Sequence, residues 1–206
     1  MTMENRLRIT TLHVEKMRSL RLVGRLRLDV PLAAVLSALC GWSCAGSLLL
    51  ASAPVLALAA GQHDVALDVN PVHAAALRQI AQGQPGSLPG DPASYRSAIL
   101  VLDDVTLTDA GAKGGYFYKI YLASSVATGP AAQQLAGSLG PFEIAGARQR
   151  GTASLRYALG PSLGTWGAQP VSALVVSFRR ADGAGLNGPL IRIGSVRLEL
   201  STEAGS

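Results

Sequence analysis

The sequence predicts an all-β fold: an antiparallel β-sandwich or jelly-roll-like domain preceded by an N-terminal signal or anchor helix. Three observations predict it. Strand-like runs recur from Ser97 to Leu200 with turn signals at about ten-residue spacing. The run Tyr116-Phe117-Tyr118-Lys119-Ile120-Tyr121-Leu122 holds four of the eight Phe and Tyr residues of the chain and has the composition of a strand. Ahead of all this, the chain carries no charge from Pro31 to Ala60.

At 206 residues with 49% apolar content, one domain with a real core is affordable and a second full one is not. The formal charge of +5 belongs to the leader. Residues 1–59 hold Arg6, Arg8, Lys16, Arg18, Arg21, Arg25 and Arg27 against Glu4, Glu15 and Asp29, and the rest of the chain is close to balanced. No clustered basic face is left for a nucleic acid.

A basic segment, an apolar run and the small-residue site Ala57-Leu58-Ala59 are the parts of a secretory signal peptide. Cleavage after Ala59 would start the mature chain at Ala60. The run also reaches the length of about 20 residues that spans a bilayer, so a retained anchor through residues 31–60 stays open. Either way the remainder is exported, to a periplasm or beyond. Met17 offers a second plausible start. Both cysteines, Cys40 and Cys44, lie in the apolar run, so a cleaved chain would have no disulfide and no thiol nucleophile.

Residues 60–94 read as a linker with local structure. Asp64 to Val69 alternates as a short strand and Asn70-Pro71 ends it. His73 to Gln82 is rich in helix formers, with Gly83 as the stop. Gly83 to Pro92, with three Pro and three Gly, reads as the connection to a compact domain over 95–201.

That domain opens with Ser97 to Thr108, apolar on both faces and then alternating, with a bulge or strand end at Asp103-Asp104. Gly111 to Gly115 is a hairpin tip before the aromatic strand. Alternation sends Tyr118, Ile120 and Leu122 to the core, where the Tyr118 hydroxyl needs a partner. Leu139 to Ile144 reads as a short edge strand tolerating Pro141. Thr152 to Leu159 alternates, and Gly160-Pro161 ends it. Trp166 lies in a connection that lids one end of the core. Ser172 to Arg180 is the most apolar strand remaining, and Leu190 to Leu200 closes the domain in two halves about Gly194, a bulge or corner.

The search for chemistry returns little. His63 and His73 lack a third ligand or an arranged carboxylate, and they read as linker histidines. With no histidine inside 95–201, no Ser-His or Cys-His pair can form there. Asp103 and Asp104 invite a calcium or general-acid reading. Neighbouring strand residues point to opposite faces, so a strand end is the simpler assignment. Lys113-Gly114-Gly115 lacks the rest of a phosphate loop, and Arg179-Arg180 reads as a solvated strand end.

Several stretches also occur in the order of a known family. Ile99 to Leu107 looks like its opening strand. Phe117 to Leu122 stands where a Lys-Phe-Asp-Val motif would be, with Phe117 in place of the initial Lys and Lys119 in place of the Asp. Leu135-Ala-Gly-Ser-Leu139, Thr152 to Leu159, Val175-Val-Ser-Phe178 and Pro189 to Leu200 follow in family order. From about Ser97 to Leu200 the chain thus resembles the C-terminal domain of tyrosinases and plant polyphenol oxidases (catechol oxidases). The histidine-rich central domain that holds two copper ions in that family has no counterpart here. The resemblance implies a shielding or regulatory module without the oxidase: not an enzyme on its own, holding no cofactor, and capping or assisting a separately encoded tyrosinase-like copper oxidase. Phe117, Tyr118, Phe142 and Trp166 are the side chains that could fill a partner's apolar pocket, unless the core takes them. An envelope-anchored, surface-binding module is the alternative.

Overall fold

The computed structural model describes residues 46–124, 133–163, 173–182 and 185–204. They form a mostly β structure of three antiparallel sheets. The first sheet has the order β1 (Ser47–Ala53), β11 (Ser195–Ser201), β4 (Ser97–Asp103), β8 (Leu155–Ala158). The second is β2 (Leu56–Leu58), β10 (Ile191–Ile193), β5 (Thr106–Leu107). The third is β3 (Gln62–Asp68), β9 (Ala173–Asp182), β6 (Tyr116–Ser124), β7 (Gln134–Leu139). Among the described residues three α-helices accompany them, α1 (Pro71–Ala81), α2 (Pro141–Gln149) and the single turn α3 (Gly160–Leu163), with one 3₁₀ turn at Gly111–Lys113.

Alternation explains the core. Tyr118, Ile120 and Leu122 of β6 are fully buried, as are Val176 and Phe178 of β9, which pairs with β6 along nine residues. Ala98, Leu100 and Leu102 of β4 and Val196, Leu198 and Leu200 of β11 join the same apolar cluster. Each fully buried Leu, Val or Phe contributes about 1.5–3 kcal/mol relative to exposure, so the cluster is the main stabilising feature.

The expected corner at Gly194 is present and has a partner. Asp104 sits at φ +50° where the chain passes from β4 to β5, and Gly194 lies between β10 and β11. The two crossings are side by side: the Gly194 N–H donates to the Asp103 carbonyl at 2.8 Å, and a Cβ on Gly194 would lie 2.7 Å from that of Asp104. Only a residue without a side chain lets the paired strands change sheets together here.

Three expectations need correction. First, the fold starts well before residue 95. Residues 62–68, expected as part of a linker, pair along their whole length with β9. In α1, the Asn70 side chain caps the helix by accepting from the Val72 N–H, and Ala74, Ala76, Leu77 and Ile80 are buried. The Pro- and Gly-rich stretch packs down too: Gly86 and Tyr95 exchange backbone hydrogen bonds of 2.7 and 2.9 Å, and Leu88 and Tyr95 are buried.

Second, the expected leader reaches into the sheets. Residues 47–58 supply β1 and β2, with β1 pairing along β11 from Ser47↔Ser201 to Ala53↔Val196. An uncharged alternating run suits a buried strand as well as a signal peptide, and composition alone does not separate them. Among the described residues no helix is long and apolar enough to cross a membrane.

Third, Leu139 to Ile144 is not an edge strand. β7 ends at Leu139, and Pro141 opens α2. Proline is favoured at a first helical position because its missing N–H would have no intrahelical partner there. Ile144 and Ala147, three apart, form the buried side of that helix.

Candidate docking surface

The four aromatic candidates separate sharply. Tyr118 is a core residue with no exposure, and its hydroxyl donates to the Ala59 carbonyl at 2.6 Å. Its ring meets Tyr116 edge to face, with centroids 6.0 Å apart. Burial pushes the Tyr118 phenol up to about 12, Tyr116 adding to the rise and Arg180 opposing it. Phe117 is half-buried, with Gly140 packed near its Cβ. Trp166 lies outside the described residues. Phe142 is 88% exposed, more than any other large apolar side chain described.

Phe142 stands in the first turn of α2 at the mouth of a groove of about 330 Å³. One wall is the helix stripe Phe142, Gly146 and Arg150, each four residues apart, and the other is Leu155, Arg156 and Tyr157 of β8. Glu143 also borders the groove, but its carboxylate accepts from the Ser138 hydroxyl at 3.1 Å. Arg150 closes the helix with its backbone N–H, which donates to the Ala147 carbonyl at 3.0 Å, while its side chain is exposed and makes no hydrogen bond or ion pair among the described residues. Arg156, half-exposed, donates to Glu199 at 3.1 Å. The Tyr157 hydroxyl donates to the Ser138 carbonyl at 2.9 Å, and burial, with Glu143 adding, lifts its ionisation well above the usual phenol range.

Behind this groove an ionic network runs across the first sheet. Asp103 accepts from Arg197, from the Ser154 hydroxyl at 2.7 Å and from the Ser195 hydroxyl at 3.3 Å. Arg197 also reaches Glu199, which Arg156 holds from its other side. The Arg197 guanidinium lowers the Asp103 ionisation below the ordinary carboxylate range. A carboxylate held ionised in this way ties strands together and is a poor proton donor near neutrality. Asp104, at the sheet crossing, takes no part in the network.

The histidines do not meet. The Ala59 N–H donates to His63 Nε2 at 2.9 Å, and His73 lies on α1 with its Nδ1 buried and unpartnered. No group of three or more His, Cys, Asp or Glu among the described residues could hold a metal. Arg179 and Arg180 are held more closely than a solvated strand end: Arg179 stacks 5.0 Å from the Tyr121 ring centroid, and Arg180 donates to the Leu186 carbonyl at 2.9 Å.

The sequence singles out Phe142 but not its surroundings. The Phe142, Gly146, Arg150 spacing is the helical signal that points to the groove, and the strand-like pattern of Leu139 to Ile144 masks its start. The chain matches no protein-family model and no curated protein.

Proposed function

We propose that this protein is an exported, non-catalytic β-sandwich module that caps or assists a separately encoded tyrosinase-type phenol oxidase. The partner would carry the two copper ions and this chain none. The sandwich of this reading is the two four-stranded sheets facing one another across the shared apolar cluster.

Phe142 carries the reading. A solitary exposed apolar residue is ordinary on a protein surface. Here the ring is presented at the start of a helix whose opposite side is anchored by Ile144 and Ala147, so its position is fixed while its own surface stays in water. An aromatic ring with two torsions loses little entropy on entering an apolar pocket. The family resemblance from Ser97 to Leu200 supplies the kind of pocket, the copper-site entrance of a phenol oxidase.

Export rests on the basic residues before Asp29 and the uncharged run after Val30. With residues 47–58 serving as strands, the uncharged run ahead of the fold is confined to residues 31–46. That is shorter than the about 20 residues of a bilayer span and within reach of a signal peptide, which favours a signal over membrane contact through 31–60.

The test is association. The exported protein is mixed at micromolar concentration with the tyrosinase-like oxidase encoded beside it and resolved by size-exclusion chromatography. Co-elution that Phe142→Ala abolishes is the expected result. Separate elution of the wild-type proteins, with unchanged phenol oxidation, ends the proposal.

A further inference from the structure

The groove beside Phe142 has features that a pocket-filling ring alone does not require. We infer that the cleft between α2 and β8 takes up an extended, acidic segment of the partner, its backbone pairing with the open edge of β8 and its carboxylates meeting Arg150 and Arg156. The partner in question is that of the capping reading, on which this inference rests.

The strand edge is the first support. Among the described residues β8 pairs with β4 alone. The Leu159 N–H donates to the Ala98 carbonyl at 2.8 Å, which sets the alternation along the strand. Tyr157 and Leu155 therefore turn their backbone groups toward β4, and Arg156 and Ala158 turn theirs away from it. An outward row of this kind is a template for an added strand.

Charge is the second. Arg148 and Arg150 are exposed on and just after α2, and Arg156 keeps half of its side chain in water while sharing Glu199. The one carboxylate bordering the groove, Glu143, is engaged by Ser138. The arginines Arg148, Arg150 and Arg156 thus outnumber the carboxylates of Glu143 and Glu199 around the cleft, and an incoming carboxylate meets an Arg150 guanidinium with no internal partner to displace. Shape is the third. Gly146 leaves the helix wall without a side chain between Phe142 and Arg150, while Leu155 and Tyr157 supply apolar contact for alternate side chains of a strand.

The test uses the full exported protein and a fluorescein-labelled octapeptide of alternating Glu and Val, with a Lys and Val peptide as control, read by fluorescence anisotropy. Two variants accompany it. Arg150→Glu reverses one exposed charge. Gly146→Leu fills the cleft and raises helix propensity, its Cβ coming near Arg150 Nη1 at 3.4 Å, the end of a flexible side chain, and a urea midpoint no lower than that of the wild type checks that it folds. The expected result is binding of the acidic peptide at least about tenfold tighter than the basic one, weakened about tenfold or more by either variant and by raising salt from about 0.05 to 0.5 M. Equal binding of the two peptides, binding of neither, or an Arg150→Glu variant that binds as the wild type does would overturn it. The two readings fail separately. If the peptide pattern holds while the oxidase does not associate, the groove stands and capping falls. If the oxidase associates equally with Arg150→Glu, capping stands and the groove falls.

Discussion

The ring of Tyr157 lies directly on the backbone of Gly137: a Cβ at position 137 would come within 2.6 Å of Tyr157 Cδ1. Gly137 belongs to β7 and Tyr157 to β8, the outermost strands of two different sheets. The Tyr157 hydroxyl, donating to Ser138, completes the closure of that side.

Gly137→Ala therefore pushes the ring away and strains its hydrogen bond, an overpacking that costs about 1–3 kcal/mol. Tyr157→Phe keeps the ring and orphans the Ser138 carbonyl for about 1 kcal/mol. Urea denaturation followed by fluorescence measures both. An unchanged midpoint for Gly137→Ala would show that the sheets do not meet there.

Alkaline pH should destabilise the fold through the same ring. Buried Tyr118 and half-buried Tyr157 ionise above the usual phenol value of about 10, so the fold retains protons that the unfolded chain gives up. Their contribution is complete below pH about 10 and is lost as pH rises through the folded-state values. Denaturation midpoints between pH 8 and 11, roughly, should fall at the top of the range, and Tyr157→Phe should flatten the fall.

On the acid side the sign reverses. Asp103 ionises below its unfolded value because Arg197 sits beside it, so its stabilisation is present above pH about 4 and disappears as pH falls through the lowered folded-state value. Asp103→Asn should cost about 1.5–3 kcal/mol at neutral pH, the range for hydrogen bonds to a charged group, and should remove part of the acid dependence. Equal stability of variant and wild type at pH 7 would show that the network contributes nothing.

On the export proposal, the mature amino terminus should lie upstream of Ser47. Starting at Ala60 would delete β1 and β2, strip an edge of β11 and remove buried Leu50 and Leu58, each worth about 1.5–3 kcal/mol. The peptide at Ala59 is also held from both sides, its N–H by His63 and its carbonyl by Tyr118. Intact-mass spectrometry of the mature protein decides this, and a chain beginning at Ala60 would contradict the place of those two strands.

Where a single period dominates, the fold was legible. Tyr118, Ile120 and Leu122 alternate inward, the helix before Gly83 ends where its glycine stops it, and Gly194 marks the crossing between sheets. The sequence was silent where one pattern suits two structures. The residues from Ser47 to Leu58 are equally good as signal peptide or strand, and Phe142-Glu143-Ile144 alternates as a strand would although Pro141 makes it a helix. The groove's walls come from α2 and β8, and the start of the first, up to Ile144, has the pattern of a short edge strand in the sequence.

Catechol oxidation by the proposed partner oxidase, followed while this protein is titrated in, tests the surface most directly. A rate that shifts to a plateau as the wild-type protein is added, and stays flat with a Phe142→Ala variant of unchanged stability, is the outcome expected of an exposed ring that docks. A plateau reached equally by both proteins would take Phe142 out of the contact.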